Sequence, residues 1–157
     1  MNPLDTPIGF SSTFLFVPGT RPERFSKALD SGADGVIIDL EDAVAAEDKE
    51  SARTAIRGAW PAFTAEQKKR LIIRSNSPGS QFYAADLILV QELDAACLLI
   101  PKSESLDQIN GAAQILPNTA IIPMIETAIG LDRLNEIANS EQVLRLALGN
   151  IDLQADL

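Results

Sequence analysis

The sequence predicts an α/β fold, a (β/α)8 TIM barrel of which this chain covers about the first six strand-and-helix units. Three observations carry that prediction. Short runs rich in Val, Ile and Leu recur with helical stretches between them, the alternation of parallel strands joined by crossover helices. The runs are almost continuously apolar, as strands covered on both faces are. And five of the six runs are followed at once by charged or polar residues, where barrel enzymes carry their catalytic groups.

The expected strands are Phe14 to Val17, Gly35 to Asp39, Leu71 to Arg74, Ala95 to Ile100, Ala120 to Ile125 and Val143 to Leu148. Between the first two, Thr20 with Glu23 forms a candidate capping box, Phe25, Ala28 and Leu29 follow at helical spacing, and Gly32 is placed to end the helix. Ala52, Ala55, Ile56 and Ala59 make an apolar stripe stopped by Pro61. Ser105 with Gln108 caps a helix that buries Leu106, Ile109, Ala113 and Leu116; Leu131, Leu134 and Ile137 repeat the pattern after Gly130. No linker, repeat or low-complexity stretch divides the chain, so residues 1–157 read as a single domain. Closing such a barrel takes eight strands and roughly 200 residues or more. The reading is therefore the N-terminal part of a barrel, with the C-terminal strands and helices absent from this sequence. An open six-stranded sheet is the alternative, although no Gly-rich nucleotide turn supports a doubly wound fold.

Composition excludes several functions. The chain is 46% hydrophobic and 22% charged, enough to bury a core, and 13 basic against 22 acidic residues leave a net charge of -9. That charge repels nucleic acid and anionic membranes. No apolar stretch reaches the roughly 18 residues of a membrane span, and Met1 to Ser12 lacks the pattern of a signal peptide, so a cytoplasmic protein is expected. Without a single histidine, Ser-His and Cys-His nucleophile pairs and imidazole ligands are absent. Cys97, the lone cysteine, lies in an apolar run and reads as a buried, inert thiol. Chemistry must run on carboxylates, Arg, Lys, hydroxyls and backbone.

Those groups sit at the strand tips. Glu126 and Asp152 end adjacent strands, so their carboxylates could converge on an oxygen-seeking cation such as Mg²⁺; alternatively each caps the helix that follows it. Arg74 suits a substrate carboxylate, or an internal ion pair with the acidic tips. Asp39, Glu41 and Asp42 put three acids in four residues, too many for one dry pocket without a metal, an Arg or raised pKa values, so at least one should face solvent or cap the second helix. Lys102 is either a candidate Schiff-base lysine or an exposed residue after Pro101. Arg21, Arg24 and Lys27 form a local anion site or a solvated helix face.

Taken together, Leu15 to Arg24, Asp39 to Val44, Ile73 to Asn76, Pro101-Lys102, Ile125 to Thr127 and Gly149 to Leu153 resemble the citrate lyase beta subunit family, within the HpcH/HpaI aldolase and citrate lyase group of pyruvate-binding TIM barrels. The resemblance implies an Mg²⁺-dependent carbon–carbon lyase, with Mn²⁺ as an alternative metal. Its substrate would be a citryl, citramalyl or malyl type 3-hydroxyacyl thioester of coenzyme A or a carrier protein, cleaved to an acetyl thioester and a 2-oxo acid. It makes Glu126 and Asp152 the metal carboxylates and puts Arg74 on the keto-acid half, with Asp39, Glu41 and Asp42 in the same pocket. Arg21, Arg24 and Lys27 would seat the coenzyme A or carrier phosphates, with Thr127 and Leu153 also on the substrate. It removes the Schiff-base role from Lys102. A homo-oligomer, trimer or hexamer, and an acyl carrier partner are further implications. Three departures stand out: Ser12 where the family has an Arg, Ser75 where an apolar residue is usual, and Asn150-Ile151 before Asp152. A class II aldolase releasing pyruvate from a free hydroxy-keto acid, or a non-catalytic barrel fragment acting as a binding subunit, are the competing readings.

Overall fold

The computed structural model describes residues 6–157; residues 1–5, part of the stretch read above as lacking a signal peptide, lie outside it. Among the described residues, six parallel strands run in the order of the chain: β1 (Phe14–Pro18), β2 (Gly35–Asp39), β3 (Leu71–Arg74), β4 (Cys97–Ile100), β5 (Ala120–Ile125) and β6 (Ala147–Leu148). A doubly wound sheet reverses its strand order at a switch point. This order never reverses, so the sheet curls into a half-barrel and the open-sheet alternative is set aside. The helices between the strands are α1 (Phe25–Leu29), α2 (Lys49–Ala59), α3 (Ala65–Lys68), α4 (Tyr83–Glu92), α5 (Leu106–Ile115), α6 (Ala128–Asp132) and α7 (Leu134–Ala138), and α8 (Asn150–Asp156) follows β6. No helix among the described residues is long and apolar enough to cross a membrane.

The continuous apolar runs are explained by two cores on opposite faces of the same strands. Val36, Ile38, Leu71, Ile73, Leu98 and Ile100 pack with the helices. Their neighbours Ile37, Ile72, Cys97, Leu99, Ala120 and Ile122 form the inner face, closed below by Ile8. Period-two alternation is thus present but hidden, because both faces are apolar. The Cys97 thiol is wholly buried on the inner face, and burial pushes its pKa up, which keeps it protonated and inert as expected.

Four local expectations are corrected. β6 is shorter than the run from Val143: that residue only bridges to Ile121, and pairing resumes at Ala147. The gap falls opposite Pro123 of β5, which has no N–H to give to the ladder. β4 likewise starts at Cys97 rather than Ala95. The Thr20 capping box does not form; a 3₁₀ turn over Pro22–Arg24 precedes α1, and Glu23 binds Arg21 instead. Gly130 lies inside α6, whose cap is Thr127, rather than ahead of the helix. The Ser105–Gln108 capping box is present in full, and Gly32 takes the positive φ that follows α1.

A buried polar network braces the strand tips from behind. Asp86 on α4 is fully buried and accepts from Arg53 Nη1 at 2.8 Å and from the Asn76 backbone N–H and Nδ2, both at 2.7 Å. It therefore ties α2 to the loop after β3. Lys49, 6% exposed, donates from Nζ to the carbonyls of Leu40 and Glu41, each at 2.7 Å, and fixes the loop after β2.

Candidate functional site

Asp39 ends β2 and is 1% exposed, with both oxygens saturated. Oδ1 and Oδ2 accept from the N–H groups of Glu41 and Ala43 at 2.8 and 3.0 Å, and from Arg74 Nε and Nη2 at 2.7 and 2.6 Å. The Arg74 fork is thus spent in two-point contact with Asp39, the internal ion pair. Its remaining nitrogen, Nη1, lies 3.0 Å from Glu41 Oε2 and 3.7 Å from Asp42. Burial pulls the Arg74 pKa down, but the bond to Asp39 and the neighbouring acidic charges outweigh it and raise the value, so the cation is permanent. The crowding of three acids is resolved as anticipated: Asp39 and Glu41 are buried beside cations, while Asp42 has a 63% exposed side chain.

A second group forms around Lys102 at the end of β4. Its backbone adopts φ +49°, a left-handed conformation that non-glycine residues rarely take. That turn aims its N–H at Glu126 Oε2, 3.0 Å away. Its Nζ donates to Glu41 Oε1 at 2.8 Å and lies 3.6 Å from Asp152 Oδ2. Lys102 is therefore half-buried among three carboxylates rather than simply exposed. Desolvation raises the pKa of Glu41, only partly offset by Lys102 and Arg74. Desolvation also raises Glu126, with the Lys102 N–H opposing it and Glu41 adding repulsion.

Glu126 is 4% exposed and does not cap its own helix, because Thr127 does. Gly149 makes room for it: a Cβ there would stand 2.3 Å from Glu126 Oε1. Asp152 lies in the first turn of α8, where an acid complements the helix dipole, but the cap position belongs to Gly149. The helix-cap alternative thus fails for both carboxylates as a literal cap.

The other expected site residues stand apart. The Thr127 hydroxyl is engaged by the Gly130 N–H at 3.1 Å, and Leu153 is buried under α8 as core, so neither side chain points freely toward a substrate. Arg21, Arg24 and Lys27 stay on the surface, where Glu23 meets Arg21 at 2.7 Å and lies 4.0 Å from Arg24. Residues not singled out beforehand include Lys49, Arg53 and Asp86. The legible signal for Asp86 was an acid embedded in the apolar helical run from Tyr83 to Val90. Asp156 was missed too; its Oδ2 accepts from the Ala128 N–H at 2.7 Å and links α8 to α6. Ser75, the departure at a usually apolar position, is fully buried with a hydroxyl that has no partner.

Among the described residues, no group of three or more His, Cys, Asp or Glu side chains is placed to cage a metal ion by protein ligands alone. Mg²⁺ needs no such cage, since one or two carboxylates with water and substrate oxygens suffice. Glu126 and Asp152 supply that donor chemistry, and the ammonium already stationed beside Asp152 shows that the cluster accepts a positive charge.

A curled parallel sheet with its charged side chains gathered at the C-terminal strand ends is the layout of a barrel enzyme. The chain belongs to the HpcH/HpaI aldolase/citrate lyase family, whose model matches residues 12–157. It is 32% identical over 144 residues to a (3S)-malyl-CoA thioesterase of Cereibacter sphaeroides, covering 91% of this chain and 50% of that protein. The chain spans about half the length of the curated relatives it matches. The solved citrate lyase beta subunit of Mycobacterium tuberculosis, complexed with oxaloacetate and magnesium, superposes with a TM-score of 0.82 at 33% identity, over 99% of this chain and 64% of that one. The CitE protein of the same organism, in complex with magnesium, acetoacetate and coenzyme A, gives a TM-score of 0.82 at 34% identity over 94% and 52%.

Proposed function

We propose that this chain provides the strand-tip site of an Mg²⁺-dependent carbon–carbon lyase of the pyruvate-binding barrel type. Its substrate is a 3-hydroxyacyl thioester of the citryl, citramalyl or malyl kind, cleaved to an acetyl thioester and a 2-oxo acid. The observation that carries the reading is the convergence of Glu41, Lys102, Glu126 and Asp152 from four different strand ends. The oxaloacetate, magnesium and coenzyme A bound by the similar solved proteins support it.

The reaction removes the hydroxyl proton, breaks the bond between the carbinol carbon and the thioester's α carbon, and protonates the departing enolate. Glu126 and Asp152 are the residues that would hold the metal, with Mn²⁺ as an alternative occupant. Mg²⁺, when bound, supplies Lewis-acid polarisation and a template for the substrate oxygens. Glu41, whose burial raises its pKa, is the carboxylate best matched to taking the hydroxyl proton. Arg74 Nη1, the edge of the fork not locked to Asp39, faces the same pocket and offers fixed positive charge to a developing oxyanion. Asp39 and Asp42 orient and flank that arginine. Arg21, Arg24 and Lys27 supply an exposed basic face for the phosphates of coenzyme A or a carrier protein.

The test is incubation of the protein with citramalyl-CoA, malyl-CoA and citryl thioesters and Mg²⁺. Release of an acetyl thioester with a 2-oxo acid is expected, and all three substrates remaining intact would overturn the proposal. The name of the Cereibacter relative favours a second reading, hydrolysis of the thioester. It is told apart by its products, the free thiol and the intact free hydroxy acid. Release of pyruvate from a free hydroxy-keto acid, without any thioester, would instead indicate the aldolase.

A further inference from the structure

Lys102 is engaged in more ways than a structural lysine requires. Its strained left-handed backbone delivers the N–H to Glu126, while the same residue's ammonium is 2.8 Å from Glu41 and 3.6 Å from Asp152. One residue therefore touches the acid at the end of β5, the acid in the first turn of α8 and the acid after β2. Without that ammonium, three carboxylates would share a partly dehydrated pocket with only the Arg74 guanidinium, 3.0 Å from Glu41, to oppose their repulsion. The Lys102 side chain is also 38% exposed, so its flexible stem can swing the charge into water.

We infer that the Lys102 ammonium is the resident cation of this carboxylate site: it holds Glu41 and Asp152 in place before metal arrives and is displaced when a divalent ion binds. The inference rests on the reading of Glu126 and Asp152 as metal carboxylates. Asp152 is the carboxylate the two cations share, the metal as a ligand and the ammonium at 3.6 Å, and two cations that close repel, so occupancy by one opposes the other. The backbone contact to Glu126 does not compete and stays when the side chain leaves. Lys102 thereby acts as a positioning residue in two modes, one permanent and one exchangeable.

The test is titration of the full chain with Mg²⁺ by calorimetry, for the wild type, Lys102→Met, Lys102→Gln and Lys68→Met. Lys68 lies on α3 over the Trp60 ring and serves as a control for loss of a remote charge. The Lys102 variants are expected to bind Mg²⁺ about tenfold more tightly than wild type, a typical coupling between linked sites. Lys68→Met should stay within about twofold. By the same linkage the metal-free Lys102 variants melt below wild type and gain more from saturating Mg²⁺ than wild type does. Equal or weaker Mg²⁺ binding by both Lys102 variants, with wild type binding normally, would overturn the inference alone. Failure of every protein, wild type included, to bind Mg²⁺ would overturn the metal reading beneath it. Binding by the Lys102 variants but not by wild type would support the exchange in its strongest form.

Discussion

Substitution of Asp86 by alanine is expected to destabilise the protein by about 3–5 kcal/mol, the cost of leaving a buried partner charge uncompensated. Arg53, whose side chain is only 7% exposed, would keep just the peripheral Glu50 as its acidic partner. The Asn76 N–H and amide would lose their acceptor in the same step. The network serves no surface role, since Asp86 has no exposure at all. Urea unfolding should show a lower midpoint with an unchanged slope, the signature of a native state that has lost stability rather than compactness. A loss below about 1 kcal/mol would contradict this, showing that Glu50 or solvent compensates Arg53 once Asp86 is gone. Because Asn76 follows Arg74 by two positions, the folded fraction of this variant should also bind substrate analogues less well.

Gly149→Ala is the second large effect, and it falls on function more than on stability. The new methyl would stand 2.3 Å from Glu126 Oε1 and 2.5 Å from its Cγ, closer than any real contact allows. Glu126 cannot simply turn aside, because it is buried and its other oxygen is held by the Lys102 N–H. The carboxylate must shift, at an overpacking cost of about 1–3 kcal/mol. Calorimetric titration should show Mg²⁺ affinity reduced by at least about tenfold, roughly the 1.4 kcal/mol that one such step represents. Circular dichroism should report an unchanged secondary structure. Wild-type affinity in this variant would mean that Glu126 has a different position when metal is bound.

Much of the fold was legible because each strand is an apolar run and each strand end is polar. β2, β3 and β5 run where the side chains said they would, since burial on both faces leaves little latitude. β6 was overextended because its pairing depends on Pro123 of another strand, a tertiary constraint that no local pattern in Val143 to Leu148 reveals. The Thr20 box was misread for a similar reason: Pro22 starts a tight turn and Arg21 claims Glu23.

The site was legible in its residue types and less so in its pairings. The family resemblance implied that Arg74 and the acids after β2 share one pocket, but the saturation of the Arg74 fork by Asp39 required the register that sets Asp39 beside Arg74. Lys102 was identified as a strand-tip residue, yet its positive φ and its three acidic neighbours come from the loop geometry after β4. Lys49 could not be distinguished from a solvated helix residue, because its partners are backbone carbonyls.

The proposed function assigns to Glu126 and Asp152 the divalent cation on which cleavage depends. It is tested most directly by measuring Mg²⁺ binding and Mg²⁺-dependent thioester cleavage in Glu126→Gln and Asp152→Asn beside wild type, with circular dichroism as the control for folding. Each substitution should abolish both metal binding and cleavage while the spectrum stays that of wild type. Full Mg²⁺-dependent turnover in Asp152→Asn would contradict the claim.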